Sequence, residues 1–135
     1  MSSSDRPVRV LVVDDEADTR DLIRRVLEES HARVILASSA DEALALLNSH
    51  TPDVILSDIG MPVRDGYSLI ASVREQGVKT PAAAITAFAR ADDQARALRA
   101  GYQTHITKPV DPVELVTAVA ALASTCPDRT RRERS

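Results

Sequence analysis

The chain has no tryptophan and three aromatic residues in all, Tyr67, Phe88 and Tyr102. An aromatic core is thereby excluded, and Val, Leu, Ile and Ala must fill the interior. The single cysteine, Cys126, can form no intramolecular disulfide, which fits a reduced, cytoplasmic location. Only four glycines occur and none makes a Gly-rich loop after the first apolar run, which counts against a nucleotide or flavin site. Basic excess is missing too: 17 Lys and Arg against 20 Asp and Glu leave a net charge of -3. Nucleic acid as the main partner is disfavoured, because phosphate backbones select basic faces. No apolar run approaches the ~20 residues of a membrane span. The start, Met1 to Arg6, lacks the apolar region of a signal peptide and reads, through residue 7, as a disordered leader.

With 135 residues there is room for one domain and one core, and 44% of them are hydrophobic. The organising stretch runs from Val54 to Pro62. Val54, Ile55 and Leu56 lead into Ser57 and Asp58, and Gly60 and Pro62 then stop regular structure. That pattern predicts a buried strand ending in a turn, with Asp58 at the point of exit.

Taken in order, Val8 to Val13 predicts a first strand ending in Asp14, Asp15 and Glu16. A helix follows over about 17–29, with Leu22, Ile23, Val26 and Leu27 as its apolar face. Residues 31–37 predict a second strand. Ser39 and Glu42 have the spacing of a capping box for helix two. Asp65 is the expected N-cap of helix three, which stops at Gly77. Ala82 to Thr86 predicts strand four, and an Ala-rich helix over about 91–100 closes at Gly101. A short strand at 104–107 ends at Lys108 and Pro109. Asp111 and Pro112 then open a helix whose apolar face is Val113, Leu115, Val116, Val119 and Leu122. After residue 123 the tail is polar, carries Arg129, Arg131, Arg132 and Arg134, and reads as disordered.

Five strand-helix alternations with short connections imply a parallel sheet covered on both faces. The ends of strands 1, 3, 4 and 5 then carry Asp14-Asp15, Asp58, Thr86 and Lys108 on one edge. Three close carboxylates repel one another unless a cation neutralises them, and hard oxygen donors suit Mg²⁺. An ammonium and a hydroxyl complete a set able to hold a tetrahedral anion. Together they describe phosphoryl transfer to a carboxylate nucleophile.

The residues Val12-Val13-Asp14-Asp15, Ser57-Asp58 with Met61-Pro62, Asp65-Gly66, Ile85-Thr86-Ala87 and Lys108-Pro109 resemble, in this order and spacing, the receiver domain of two-component response regulators. The resemblance covers about 8–123. It implies a flavodoxin-like (βα)5 fold, a doubly wound parallel five-stranded sheet of strand order 2-1-3-4-5. It implies that Asp58 is phosphorylated by a phosphohistidine on a histidine kinase or phosphotransfer protein. It further implies that Asp15, Asp58 and the Gly60 carbonyl bind Mg²⁺, with Asp14 acting through metal-bound water. Lys108 pairs with the acceptor, Thr86 bonds a phosphoryl oxygen as the switch is thrown, and the Lys108-Pro109 peptide is cis. The second switch position is His105, where the family commonly has an aromatic residue, and an imidazole there makes pH-sensitive switching a hypothesis. Gly60 and Phe88 occupy positions that influence the lifetime of the aspartyl phosphate.

The remaining readings are a pseudo-receiver that binds partners without phosphorylation and a Mg²⁺-dependent hydrolase with an aspartate nucleophile. Within the receiver reading, a stand-alone regulator and the C-terminal receiver of a hybrid histidine kinase both fit. The Thr104 to Pro112 segment favours the second.

Overall fold

The computed structural model describes residues 7–61, 65–87 and 91–125. Pro62, Phe88, the leader before Pro7, and the tail from Cys126 with its four arginines lie outside the described residues. Five strands alternate with five helices: β1 (Arg9–Val13), α1 (Ala17–Glu29), β2 (Arg33–Ala37), α2 (Ala40–Ser49), β3 (Val54–Asp58), α3 (Gly66–Glu75), β4 (Ala82–Thr86), α4 (Ala91–Ala100), β5 (Thr104–Thr107) and α5 (Pro112–Ala123). The strands form one parallel sheet in the order β2-β1-β3-β4-β5. That is the expected flavodoxin-like, doubly wound fold.

Alternation along the strands sorts the core into two layers. Val10, Val12, Val54, Leu56, Ala83, Ile85 and Ile106 pack with Ile23 and Leu27 of α1 and Leu115 and Val119 of α5. Leu11, Val13, Ile55, Ala82 and Ala84 pack with Leu69, Ile70 and Val73 of α3 and Ala97 of α4. β3 and β4 are buried at every position, as central strands of a parallel sheet must be. Each fully buried Leu, Ile or Val contributes on the order of 1.5–3 kcal/mol, so a mainly aliphatic interior carries the fold. Tyr102, 2% exposed, nonetheless joins the core, against the sequence expectation of no aromatic core. Asp53, fully buried, accepts from the backbone N–H of Arg9 at 2.9 Å and ties the entry of β3 to that of β1.

The N-caps fall on the expected residues: Ser39, Asp65 and Asp111 each accept from the N–H three residues on. Glu42, however, does not close the box on Ser39. Its carboxylate accepts from the N–H of Ser38 at 2.6 Å, one residue further back. β2 begins at Arg33 and not at His31, because His31 adopts a φ of 69° and ends α1. Its N–H donates to the Glu28 carbonyl, and that of Ala32 to Leu27. Two residues expected on inward faces lie outward: Leu22 of α1 is 42% exposed and Val113 of α5 is 73% exposed.

Candidate functional site

Because the strands are parallel, their C-terminal ends share one edge. β1 lies between β2 and β3, where the winding direction reverses and open α/β sheets form their ligand crevice. Asp14 leaves β1 there with its N–H on the Ala37 carbonyl, which turns its side chain into the protein. It is fully buried. Its Oδ1 accepts from the N–H of Glu16 at 2.9 Å, while its Oδ2 is buried with no hydrogen-bond partner. The acids after β1 do not cap α1: Glu16 occupies the N-cap and its side chain makes no capping bond.

Asp58 ends β3 on the floor of a cleft of about 820 Å³ and is 5% exposed. Its Oδ1 accepts from the N–H of Gly60 at 3.2 Å, and its Oδ2 lies 3.6 Å from Lys108 Nζ. Lys108 follows β5 with a cis bond to Pro109, as expected. Its Nζ stands 3.6 Å from Asp14 Oδ2 and donates to Glu16 Oε1 at 3.1 Å. Burial pushes the carboxyls of Asp14 and Asp58 above the ordinary 3.8, against the opposing pull of backbone N–H groups and of Lys108. Burial alone would lower the Lys108 ammonium, but the Glu16 bond and the charges of Asp14 and Asp58 outweigh it and hold it above 10.5.

The loop after Asp58 is pinned from behind. Gly66 begins α3, and its N–H donates to the Ile59 carbonyl at 3.0 Å. A Cβ on Gly66 would stand 2.6 Å from the Asp58 carbonyl oxygen and 2.8 Å from Ile59 Cα, so only glycine fits this approach. Buried Tyr102, from the α4–β5 connection, donates its hydroxyl to the Gly66 carbonyl at 2.7 Å. Burial holds that phenol well above its usual range.

The family model described as the response regulator receiver domain matches residues 10–120. The chain belongs to the receiver domain family of response regulators.

Among its relatives, a Leptolyngbya boryana protein described as an uncharacterized 14.6 kDa protein is 50% identical over 112 residues, 82% of this chain and 86% of that one. The transcriptional regulatory protein PrrA of Mycobacterium tuberculosis is 38% identical over 84% of this chain. The receiver spans about half of that regulator, 49% of its length. The receiver domain of Francisella response regulator 1452 superposes with a TM-score of 0.83 at 33% identity, covering 88% of this chain and 98% of that one.

In this receiver, Lys108 comes within ion-pair reach of both Asp14 and Asp58. Asp15, Gly60 and Thr86 line the same cleft, Asp15 with an exposed side chain and Thr86 8% exposed at the end of β4. His105 does not line it. It is half-buried on β5 beside Ala84, on the sheet face opposite that of Ile106. Glu16 is the site residue that sequence reasoning missed. Its carboxylate, with those of Asp14 and Asp58, offers oxygens within 4.8 Å of one another. The unbroken acidic run at 14–16 was its only signal. Among the described residues no helix is long and apolar enough to cross a membrane.

Proposed function

We propose that this receiver is a phosphorylation-activated switch in which Asp58 takes a phosphoryl group from a phosphohistidine of a histidine kinase or phosphotransfer protein in the cytoplasm. The observation that carries the reading is the placement of Asp58. Its carboxylate reaches the cleft between the Gly60 N–H and the Lys108 ammonium, where a donor phosphorus can approach. A carboxylate oxygen attacks phosphorus, the phosphorus–nitrogen bond breaks, and the departing imidazole keeps the electron pair and takes up a proton. Lys108 offsets charge on the transferring oxygens, and the Thr86 hydroxyl donates to one of them.

The donor set fits Mg²⁺. Asp14 Oδ2 is buried without a hydrogen-bond partner, and the carboxylates of Asp14, Glu16 and Asp58 offer oxygens within 4.8 Å of one another with the Lys108 ammonium beside them. Asp15, Asp58 and the Gly60 carbonyl would hold the ion, Asp14 would act through water, and Glu16 is a further oxygen donor within reach. When bound, the cation supplies charge neutralisation for the acids and the phosphoryl oxygens. Output is a population shift of Thr86, His105 and the α4–β5–α5 face.

Borohydride reduction tests the assignment, since it converts an acyl phosphate to an alcohol. Peptide mapping after acetyl phosphate treatment is expected to find homoserine at position 58. Homoserine at 14 or 15 instead, with Asp58 intact, would overturn it.

A further inference from the structure

Among the described residues, five carboxylates line the cleft, those of Asp15, Glu16, Asp58, Asp65 and Asp93, against two cations, Lys108 and Arg96. A phosphoryl group on Asp58 adds negative charge to a cleft already rich in it. Lys108 is committed, with a hydrogen bond to Glu16 and ion pairs to Asp14 and Asp58. Arg96 is held differently. Its guanidinium lies over the ring of Tyr67, 4.0 Å from the centroid, and its side chain is exposed. An exposed cation–π contact is weak, whereas a guanidinium on phosphoryl oxygens makes paired, charge-assisted hydrogen bonds.

The two partners sit on elements of unequal firmness. Tyr67 follows Gly66, whose backbone is bonded to Ile59 and to Tyr102, so the ring stands on a fixed base. Arg96 rides on α4, where Ala97 is the only buried side chain among those described and Leu98 is 56% exposed. A helix with so little apolar anchorage moves when its charge is pulled.

We propose that Arg96 is the receiver's charge sensor: stored on Tyr67 at rest, it leaves the ring for the phosphoryl group on Asp58 and carries α4 with it. This rests on the phosphoacceptor reading above and adds to it the residue that couples α4 to the new charge.

The test uses the full chain with fluorotyrosine in place of its two tyrosines, the resonances assigned with Tyr67→Phe. Acetyl phosphate and Mg²⁺ supply the phosphoryl group, and intact mass gives the extent of modification. On phosphorylation the Tyr67 fluorine resonance is expected to move and that of Tyr102 to stay. In Arg96→Met the Tyr67 resonance is expected at a new position at rest and unmoved on phosphorylation, with Arg96→Lys restoring the response. A Tyr67 shift of equal size in Arg96→Met would overturn the proposal. So would a fully phosphorylated wild-type chain with Tyr67 unmoved, which leaves the phosphoacceptor reading standing. A folded chain that takes no phosphoryl group, either from acetyl phosphate or from a phosphorylated histidine kinase, overturns both.

Discussion

Gly66→Ala tests whether the acceptor loop is held as tightly as its geometry states. The added Cβ would meet the Asp58 carbonyl at 2.6 Å, Ile59 Cα at 2.8 Å and the Tyr102 hydroxyl at 3.0 Å. The first two are backbone atoms, so no side-chain rotation relieves them. Forcing a methyl group into such a site costs about 1–3 kcal/mol. The better helix propensity of alanine returns less than its full ~1 kcal/mol, because Gly66 is the first residue of α3. A net loss of about 1–2 kcal/mol corresponds to a melting temperature lower by roughly 4–10 °C for a domain of this size. Tyr102→Phe removes the hydroxyl that donates to the Gly66 carbonyl, which still accepts within α3, so the cost is that of one ordinary hydrogen bond, about 0.5–1.5 kcal/mol. The double variant is expected to lose less than the sum, since removing the hydroxyl also relieves the third contact. Thermal unfolding by circular dichroism, without divalent cations, measures all three. A Gly66→Ala protein melting with the wild type, within about 0.5 kcal/mol, would refute the close approach of α3 to Asp58.

Other expectations follow from the same geometry. Asp58→Asn is expected to raise stability near neutral pH in the absence of divalent cations. Burial lifts the folded carboxyl above 3.8, so the folded state prefers it protonated and loses stability as pH rises from the unfolded value through the folded one. The advantage of Asn should therefore vanish below about pH 4, and a pH-independent gain in urea melts would count against desolvation as the cause. Arg74 donates to the carbonyls of Val78, Thr80 and Gly101, so Arg74→Ala should cost about 2–3 kcal/mol in chemical denaturation. Arg74→Lys should recover less than half, because an ammonium lacks the planar fork. His31→Gly should stabilise by about 0.5–1 kcal/mol, as the residue at φ 69° closes α1 at a conformation glycine adopts freely. An unchanged unfolding midpoint would contradict that backbone.

Much of the fold was legible because its signals are local. β3, β4, α4 and β5 have the bounds that apolar runs and glycine stops predict. Ser39, Asp65 and Asp111 cap as their side-chain chemistry dictates. Exposure was less legible. Periodicity places Leu22 and Val113 on apolar stripes of α1 and α5, but whether a neighbour covers the edge of a stripe depends on helix packing. Of the acids at 14–16, the spacing cannot say which turns inward. The Asp14 N–H bond to Ala37 decides it, and that bond belongs to the pairing of β1 with β2. Tyr102 and Gly66 are 36 residues apart and meet only through tertiary structure, so no local pattern announces their bond.

The most direct measurement is the intact mass of the protein after acetyl phosphate and Mg²⁺. A single phosphoryl adduct is expected in the wild type, absent from Asp58→Asn and absent when EDTA removes the cation. An adduct that survives Asp58→Asn would contradict Asp58 as the acceptor. A folded wild-type chain left unmodified, both here and by a phosphorylated histidine kinase, would contradict the phosphoacceptor account itself.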